Sequence, residues 1–360
     1  MLTQSTVLDF KGQNIFVGID VHLKSWTVTI LTEELTHKTF TQPASAEILS
    51  NYLKRNFPGG TYHSVYEAGF CGFCAHYKLN AMGINNIVTN PADVPTSQKE
   101  KLQKDDPTDS RKLARSLRSK DLKAIYVPNP ATLEDRSLVR MRATLVKDMT
   151  RFKLRIKSFL YFYGINYPPQ FEKSGSHWSK RFMKWLSEEV VLEHDTGRQA
   201  LRMLVQEAEQ QRKLLMEVLI KIRLLSRSEK YAKNIALLRT IPGIALITAI
   251  TFLVEVENIA RFENTDQFAG FVGLIPKRHG TGEKTNDGEM TFRGNKTLKS
   301  LLIESSWTAA RSDPALTLSY HGYIRRMEPN KAVVRIARKV LNRMYYVLKN
   351  EKEYVPGVVR

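Results

Sequence analysis

Four acidic residues in the first third of the chain have the types and positions needed for metal-dependent chemistry. They are Asp20, Glu67, Asp106 and Asp109. Three of them follow a predicted strand or open a predicted helix of one α/β region, and the fourth lies one helical turn further on. Four clustered carboxylates would repel one another strongly unless divalent metal neutralised them. Two Mg²⁺ ions about 4 Å apart, held by such a cluster, stabilise the attacking and leaving oxygens when a phosphodiester bond is cleaved.

Each acid also has a simpler explanation when it is considered alone. Asp20 can serve turn chemistry at the bend of a hairpin. Pro107 suits the first position of a helix and favours extended backbone at the residue before it, so Asp106 is predicted to be the N-cap. Asp109 would then be stabilised by the positive end of that helix. The metal hypothesis therefore depends on whether the fold brings the four acids together.

The elements that would position these acids are predicted from hydrophobic periodicity. Residues 15–19 form an apolar run typical of a buried strand, and residues 25–30 alternate between polar and apolar side chains, as a half-buried strand does. The pattern continues with a helix at 45–55, a strand at 62–66, a helix at 74–81 and a strand at 84–88. This alternation predicts an α/β domain with a mixed sheet, in which Asp20 ends the first strand.

The remainder of the chain is predicted to be mainly helical. From Leu201 to Leu225 the apolar residues recur at alternating spacings of three and four, with Gln211 as a polar member. More than three such heptads with charged flanks predict a coiled coil and hence a dimer or larger oligomer, and two helices of an ordinary bundle are the alternative. Further on, Pro242-Gly243 separates two helical segments, and such a turn can bring backbone amides close to a phosphate. Residues 277–284 are predicted to form a flexible basic loop.

The charge of the protein limits its partners. With 55 Lys and Arg against 36 Asp and Glu among 360 residues, the formal net charge is +19 and the isoelectric point is near 9.8. A polyanion is the expected partner, and nucleic acid is the commonest one. An anionic membrane is the rival, but neither a run of about 18 apolar residues nor a signal peptide is found, so a cytoplasmic protein associated with the nucleoid is expected. Cys71 and Cys74 lack the second pair that a zinc site would need.

The order of the motifs resembles that of the DEDD transposases of bacterial insertion sequences (the IS-one-ten family), which are relatives of the Piv-type DNA invertases. The resemblance covers nearly the whole chain. It rests on Gly18-Ile19-Asp20-Val21-His22, Glu67-Ala68-Gly69, Lys104-x-Asp106-x-x-Asp109-x-x-x-Leu113-Ala114, Ile241-Pro242-Gly243, Phe268-Ala269-Gly270-Phe271-Val272-Gly273-Leu274-Ile275-Pro276 and Gly294-Asn295-x-x-Leu298.

This resemblance implies a fold, an activity and partners. The fold would be a RuvC-like domain of the α/β RNase H-like class at 1–128, a helical coiled-coil connector at 129–233, and a mainly α-helical C-terminal transposase domain with a helix-hairpin-helix-like segment at 234–360. The activity would be that of a recombinase that depends on two Mg²⁺ ions and that excises and inserts its element through a circular double-stranded DNA intermediate. A structured RNA made by the element would guide the choice of DNA, and the enzyme would work as a multimer.

One position departs from the family pattern. Members of the family typically have Ser-Ser-Gly or a close variant after Gly-Leu-x-Pro, and one of these serines is thought to attack DNA. This chain has Gly280-Thr281-Gly282 there. Threonine keeps a hydroxyl, so Thr281 is the candidate nucleophile. Its β-methyl group crowds the attack, and the alternatives are another hydroxyl, such as that of Ser300 or Ser305, or a copy with weakened recombination.

Basic residues around this segment are the candidates for contact with backbone phosphates. They are Arg278, His279, Lys284, Arg293, Lys296 and Lys299. Two other functions remain open. One is a RuvC-like junction nuclease or site-specific invertase that works without an RNA guide, and the other is a nucleic-acid-binding relative whose catalysis has decayed.

Overall fold

The chain folds into two compact units, Met1–Val127 and Pro128–Arg360. The computed structural model describes residues 9–96, 105–281 and 284–357, with the backbone alone for 278–281 and 284–289. Among the helices in these ranges, none combines the length and the apolar character that crossing a membrane requires.

The first unit alternates strands and helices, as its periodicity predicts. Its elements are β1 (Asn14–Val21), β2 (Ser25–Leu31), β3 (Thr36–Pro43), α1 (Ala46–Asn56), β4 (Thr61–Glu67), α2 (Cys74–Ala81), β5 (Asn85–Thr89) and α3 (Asp106–Arg118), with a 3₁₀ turn at Pro91–Asp93. Strand β3 was not expected from the residue pattern. Most of its side chains are exposed and polar, so it has no hydrophobic alternation, and it forms by backbone pairing with β2.

The five strands form one mixed sheet in the order β3-β2-β1-β4-β5. The first three strands pair antiparallel, while β1, β4 and β5 run parallel. One core, which includes Ile15, Val17 and Ile19, packs against α1 and α2. A smaller core of Val65, Val94 and Leu113 lies beneath α3. The sheet is therefore covered by helices on both faces, and this confirms the prediction of a mixed-sheet α/β region.

The second unit is mainly helical. Its elements are α4 (Pro130–Phe162), α5 (Lys180–Lys184), α6 (Asp195–Leu225), α7 (Glu229–Arg239), α8 (Leu246–Val256), α9 (Thr265–Val272), β6 (Pro276–Thr281), β7 (Lys284–Met290), α10 (Lys296–Ser312), α11 (Pro314–Ile324) and α12 (Pro329–Asn350). Short 3₁₀ turns lie at Pro169–Phe171, Ser174–Ser176 and Ile259–Arg261, and a π-helical turn lies at Trp185–Glu189.

The long helices α4 and α6 pack against each other in antiparallel orientation. The C-terminal part of α4 shares a core with Leu201 and Ala208 of α6, and Val139 near its start shares another core with Ile222. All eight positions of the predicted heptad pattern between residues 201 and 225 are buried or half-buried. This seam packs within the chain, so the periodicity alone does not require a second chain.

Residues 276–290 differ from the predicted flexible loop. They contain β6 and β7, which pair antiparallel with Thr281 opposite Lys284. The two strands are rich in polar residues and glycine and carry no period-2 apolar pattern, so hydrophobic periodicity could not reveal them. This loop prediction is therefore wrong, because backbone pairing organises the segment.

The Pro242-Gly243 turn packs against α10. Gly243 has a φ of +88°, and a Cβ there would collide with the carbonyl oxygen of Ser305 and lie close to the amide of Ala309. Because Gly243 has no Cβ, the backbone of the turn can pack closely against α10, a helix of the same unit. This packing gives a reason for the glycine, and the approach of the turn to a phosphate stays a prediction.

The same substitution is expected to have opposite effects at two glycines of this unit. Gly243→Ala adds a left-handed strain of about 1–2 kcal/mol and overpacking of about 1–3 kcal/mol, so it should lower the melting temperature by several degrees. Gly322, inside α11, has open space for a Cβ. Gly322→Ala should therefore stabilise the helix by about 0.5–1 kcal/mol. Equal melting temperatures of the two variants by calorimetry would contradict this account.

Candidate active site

Asp20 and Glu67 lie at the same end of the sheet because β1 and β4 are parallel neighbours. Gly18 pairs with Val65, and each acid lies two positions after its pairing residue. Side chains two positions apart on a strand share a face of the sheet. Val65 packs in the core beneath α3, so both acids lie on the face that α3 covers.

The close packing of α3 on β1 brings the remaining two acids to this end of the sheet. Gly18 faces the backbone of α3, where a Cβ would collide with the carbonyl oxygen of Ser110. The hydroxyl of Ser110 also lies 2.9 Å from that of Thr29 on β2, in a buried position. With the helix seated in this way, its first turn, which contains Asp106 and Asp109, lies at the strand end occupied by Asp20.

The N-cap of α3 is Asp105, so the prediction that Asp106 caps the helix is wrong by one residue. The Oδ1 atom of Asp105 accepts a hydrogen bond from the Thr108 amide at 2.6 Å, and this bond lowers the pKa of Asp105. Pro107 then lies at the second helical position. Backbone N–H groups of the first turn have no acceptor within the helix, so the missing N–H of proline costs no hydrogen bond there. Asp106 is freed from capping and is available for other contacts.

His22 links Asp20 to Asp106. Its Nε2 atom lies 3.2 Å from Oδ2 of Asp20 and 3.6 Å from Oδ2 of Asp106, and one ligand atom from each of the three residues lies within 4.8 Å of the others. Burial raises the pKa of the Asp20 carboxyl, the neighbouring His22 opposes this effect, and Asp106 and Asp109 add to it. A cation would relieve the repulsion that these carboxylates exert, so the donor set fits a divalent metal ion.

Lys112 links the other two acids. Its Nζ atom lies 3.0 Å from Oδ1 of Asp109 and 3.8 Å from Oε1 of Glu67, and the side chain is only 11% exposed. Neither Lys112 nor His22 was selected as a site residue from the sequence. Their spacing offered a weak signal, since His22 lies two positions after Asp20 and Lys112 lies one helical turn after Asp109.

These residues surround a cleft of about 140 Å³. Asp20, His22, Glu67 and Asp109 line it, together with Cys71. Cys71 and Cys74 are free thiols, and burial raises the pKa of Cys71. A raised pKa disfavours the reactive thiolate, so the cleft is better suited to metal chemistry than to redox chemistry.

The other predicted site residues lie in the second unit. Thr281 is the last residue of β6, and Arg278, His279 and Lys284 lie in the same hairpin, but the side chains of these four residues lie outside the described part of the chain. Arg293 and Lys296 are exposed. The remaining residue, Lys299, donates a hydrogen bond from Nζ to the carbonyl oxygen of Thr291 at 2.9 Å. The pKa of Lys299 is lowered mainly by burial and further by the positive charge of the nearby Lys296.

Lys296 also lines a basic cleft of about 310 Å³ between α4 and the start of α10. Its charged lining residues are Arg140, Arg142, Lys147 and Lys296, and no acidic side chain contributes to the described lining. Arg140 is neutralised by the buried Glu255, to which it donates hydrogen bonds of 2.6 and 2.8 Å. The cleft thus combines cations with hydroxyl groups, which are the usual partners of a phosphate backbone.

Two family models match parts of this chain. A family model of the IS110-type DEDD transposases matches residues 17–165, which contain all four acids, and the model described as "Transposase IS116/IS110/IS902 family" matches residues 235–321. A Sinorhizobium fredii protein, y4qE, named as a candidate transposase, is 30% identical over 243 residues, and the match covers 68% of this chain and 57% of that protein.

Two further relatives broaden the comparison. The transposase for insertion sequence element IS1533 of Leptospira borgpetersenii is 26% identical over 263 residues, which cover 70% of this chain and 72% of that protein. The pilin gene-inverting protein of Moraxella bovis is 28% identical over 131 residues, which cover 33% of this chain and 38% of the relative.

Proposed function

Because this chain belongs to the IS110 family of DEDD transposases, we propose that it cuts and rejoins DNA strands to excise and insert an insertion sequence. The observation that carries this proposal is the meeting of four carboxylates at one end of the sheet, where three of them line a cleft and Asp106 contacts His22 of the same cleft. The strand order β3-β2-β1-β4-β5 supports an RNase H-like, RuvC-like class for the first unit.

In this proposal Asp20, Glu67, Asp106 and Asp109 form the metal-binding site, and the bound cation is Mg²⁺. Carboxylate oxygens are the protein ligands that Mg²⁺ prefers. When bound, the ion neutralises charge that develops on phosphate oxygens during cleavage. The carboxylates would hold it at this end of the sheet, and His22 orients Asp20 and Asp106 through the contacts of 3.2 and 3.6 Å.

Thr281 is proposed as the nucleophile that attacks the DNA phosphodiester. Among the two alternatives, Ser305 is buried and its hydroxyl lies 3.2 Å from that of Thr248, so it is poorly placed for attack. Ser300 is exposed and lines the basic cleft, which makes it the stronger alternative.

The nucleic-acid interface is proposed to include the basic residues of the second unit. These are Arg278, His279, Lys284, Arg293, Lys296 and Lys299. The net charge of +19 and the basic cleft beside Lys296 support this role. Because a basic protein releases counterions from DNA, its affinity should fall by orders of magnitude as salt rises. An element-encoded guide RNA is proposed as a second polyanionic partner.

The protein is further proposed to act as a homo-oligomer, with functional segments at 1–128, 129–233 and 234–360. The seam between α4 and α6 is filled within the chain, but α6 also carries exposed apolar residues at a spacing of four. These residues are Met216, Ile220 and Leu224, which are 52%, 52% and 63% exposed. Such a stripe supports association through the helical connector.

Strand transfer on supercoiled DNA that carries the element's ends, with the flanking RNA transcribed and Mg²⁺ present, tests the proposal. Thr281→Ala should reduce joining by roughly 1,000-fold or more, as loss of a nucleophile does in other enzymes, whereas Thr281→Ser should retain it. Ser300→Ala is the matched control and should join normally. If Thr281→Ala remains active while Ser300→Ala is inert, the nucleophile is Ser300.

The same assay distinguishes the other functions. The similarity to the pilin gene-inverting protein favours an invertase as the second candidate. Recombination that proceeds equally well without the RNA would support that candidate. A wild-type protein that binds DNA but gains joining activity only with Thr281→Ser would indicate a decayed recombinase.

A further inference from the structure

Lys112 occupies the space between two of the four carboxylates. Its Nζ atom contacts Asp109 at 3.0 Å and Glu67 at 3.8 Å, and its side chain is 11% exposed. The two acids belong to different elements, α3 and β4. A single ammonium group therefore bridges the helix and the sheet from inside the candidate site.

The other half of the site has a different composition. Among the described residues, the side chain that pairs with Asp20 and Asp106 is the imidazole of His22. One ligand atom from each of these three residues lies within 4.8 Å of the others. Within the described part of the chain, one half of the site thus contains a lysine ammonium, and the carboxylates of the other half have no lysine or arginine in an ion pair.

We infer that Lys112 takes the place of a second divalent ion, so that this chain binds one Mg²⁺, in the half that contains Asp20 and Asp106. This inference rests on the metal role proposed above for the four carboxylates. It replaces the expectation of two ions with one ion and one ammonium group.

Charge and geometry both support this division. One divalent ion together with Lys112 brings three positive charges to four carboxylates, whereas two divalent ions and the same lysine would bring five. A second ion bound by Glu67 and Asp109 would also lie within a few ångströms of the ammonium, where repulsion in a half-buried site is strong. Lys112 is then a positioning residue, which holds Glu67 and Asp109 together and supplies the third positive charge.

Counting bound Mn²⁺ ions by electron paramagnetic resonance tests the inference on the full chain, with and without a DNA duplex. The wild type should bind one ion per chain in both conditions. Lys112→Met, which keeps the length of the side chain but removes its charge, should bind two, and its thermal stabilisation by Mn²⁺ should exceed that of the wild type. Arg111→Met removes an exposed charge from the neighbouring position of α3 and should still bind one.

The wild-type count is decisive even if Lys112→Met fails to fold. Two ions bound to the wild type, with or without DNA, would overturn the inference and leave the metal role of the carboxylates intact. A folded Lys112→Met or Lys112→Gln variant that still binds one ion would also overturn it. Failure of the wild type to bind any Mn²⁺ would instead refute the proposed metal site itself.

Discussion

Asp20→Asn is expected to abolish metal-dependent DNA cleavage without destabilising the protein. The substitution removes a carboxylate from the proposed metal site. Loss of an outer-shell partner already costs about 10–100-fold, so loss of a ligand should reduce the cleavage rate by at least about 100-fold. A gel-based nicking assay in Mg²⁺ measures this loss.

The stability of the same variant provides an independent test. Burial raises the pKa of Asp20 in the folded state, so in metal-free protein the stabilisation associated with its protonated form is present at acidic pH and is lost as pH rises through the folded pKa. Asparagine is neutral at every pH. In EDTA near neutral pH, Asp20→Asn should therefore melt at the same temperature as the wild type or above it, and this advantage should vanish in acid.

An exposed acid of the same unit is the matched control for both measurements. Glu34 lies between β2 and β3 with its side chain exposed. Glu34→Gln should leave cleavage unchanged, and added Mg²⁺ should stabilise it as much as it stabilises the wild type. If Asp20→Asn gains as much thermal stability from Mg²⁺ as Glu34→Gln does, Asp20 is not a metal ligand.

Gly18→Ala is expected to disrupt the candidate site, although Gly18 contacts none of the proposed metal-binding residues. The added Cβ would collide with backbone atoms of Ser110 and Ala114 on α3, and backbone cannot rotate away as a flexible side chain can. Overpacking of this kind costs about 1–3 kcal/mol. Because α3 carries Asp106 and Asp109, its displacement should also remove cleavage. Thermal melting and the nicking assay measure the two effects.

Gly69→Ala is the control that tests whether any glycine-to-alanine substitution in this unit lowers the thermal stability. Gly69 has a negative or extended φ and no heavy atom within 4 Å of a Cβ built on it. Its variant should melt within about 0.5 kcal/mol of the wild type, the usual range for such substitutions. A Gly18→Ala protein that melts like Gly69→Ala would show that α3 does not rest on β1 as described.

Local structure in the first unit could be predicted from the residue pattern because it depends on neighbours along the chain. The apolar run at 15–19 located β1, the alternation at 25–30 located β2, and the predicted helix at 74–81 coincides with α2. The exceptions have a common cause. Strand β3 of the first unit and the β6–β7 hairpin of the second unit pair through their backbones. Their sequences carry no apolar alternation, so hydrophobic periodicity could not predict them.

The composition of the cleft depended on tertiary packing. The sequence supplied the four acids and their order, but the pairing of β1 with β4 brings Asp20 beside Glu67, and the seating of α3 on Gly18 adds Asp106 and Asp109. No periodicity encodes a contact between elements that lie many residues apart. The contacts of His22 with Asp106 and of Lys112 with Glu67 arise in the same way, since each of them joins separate elements.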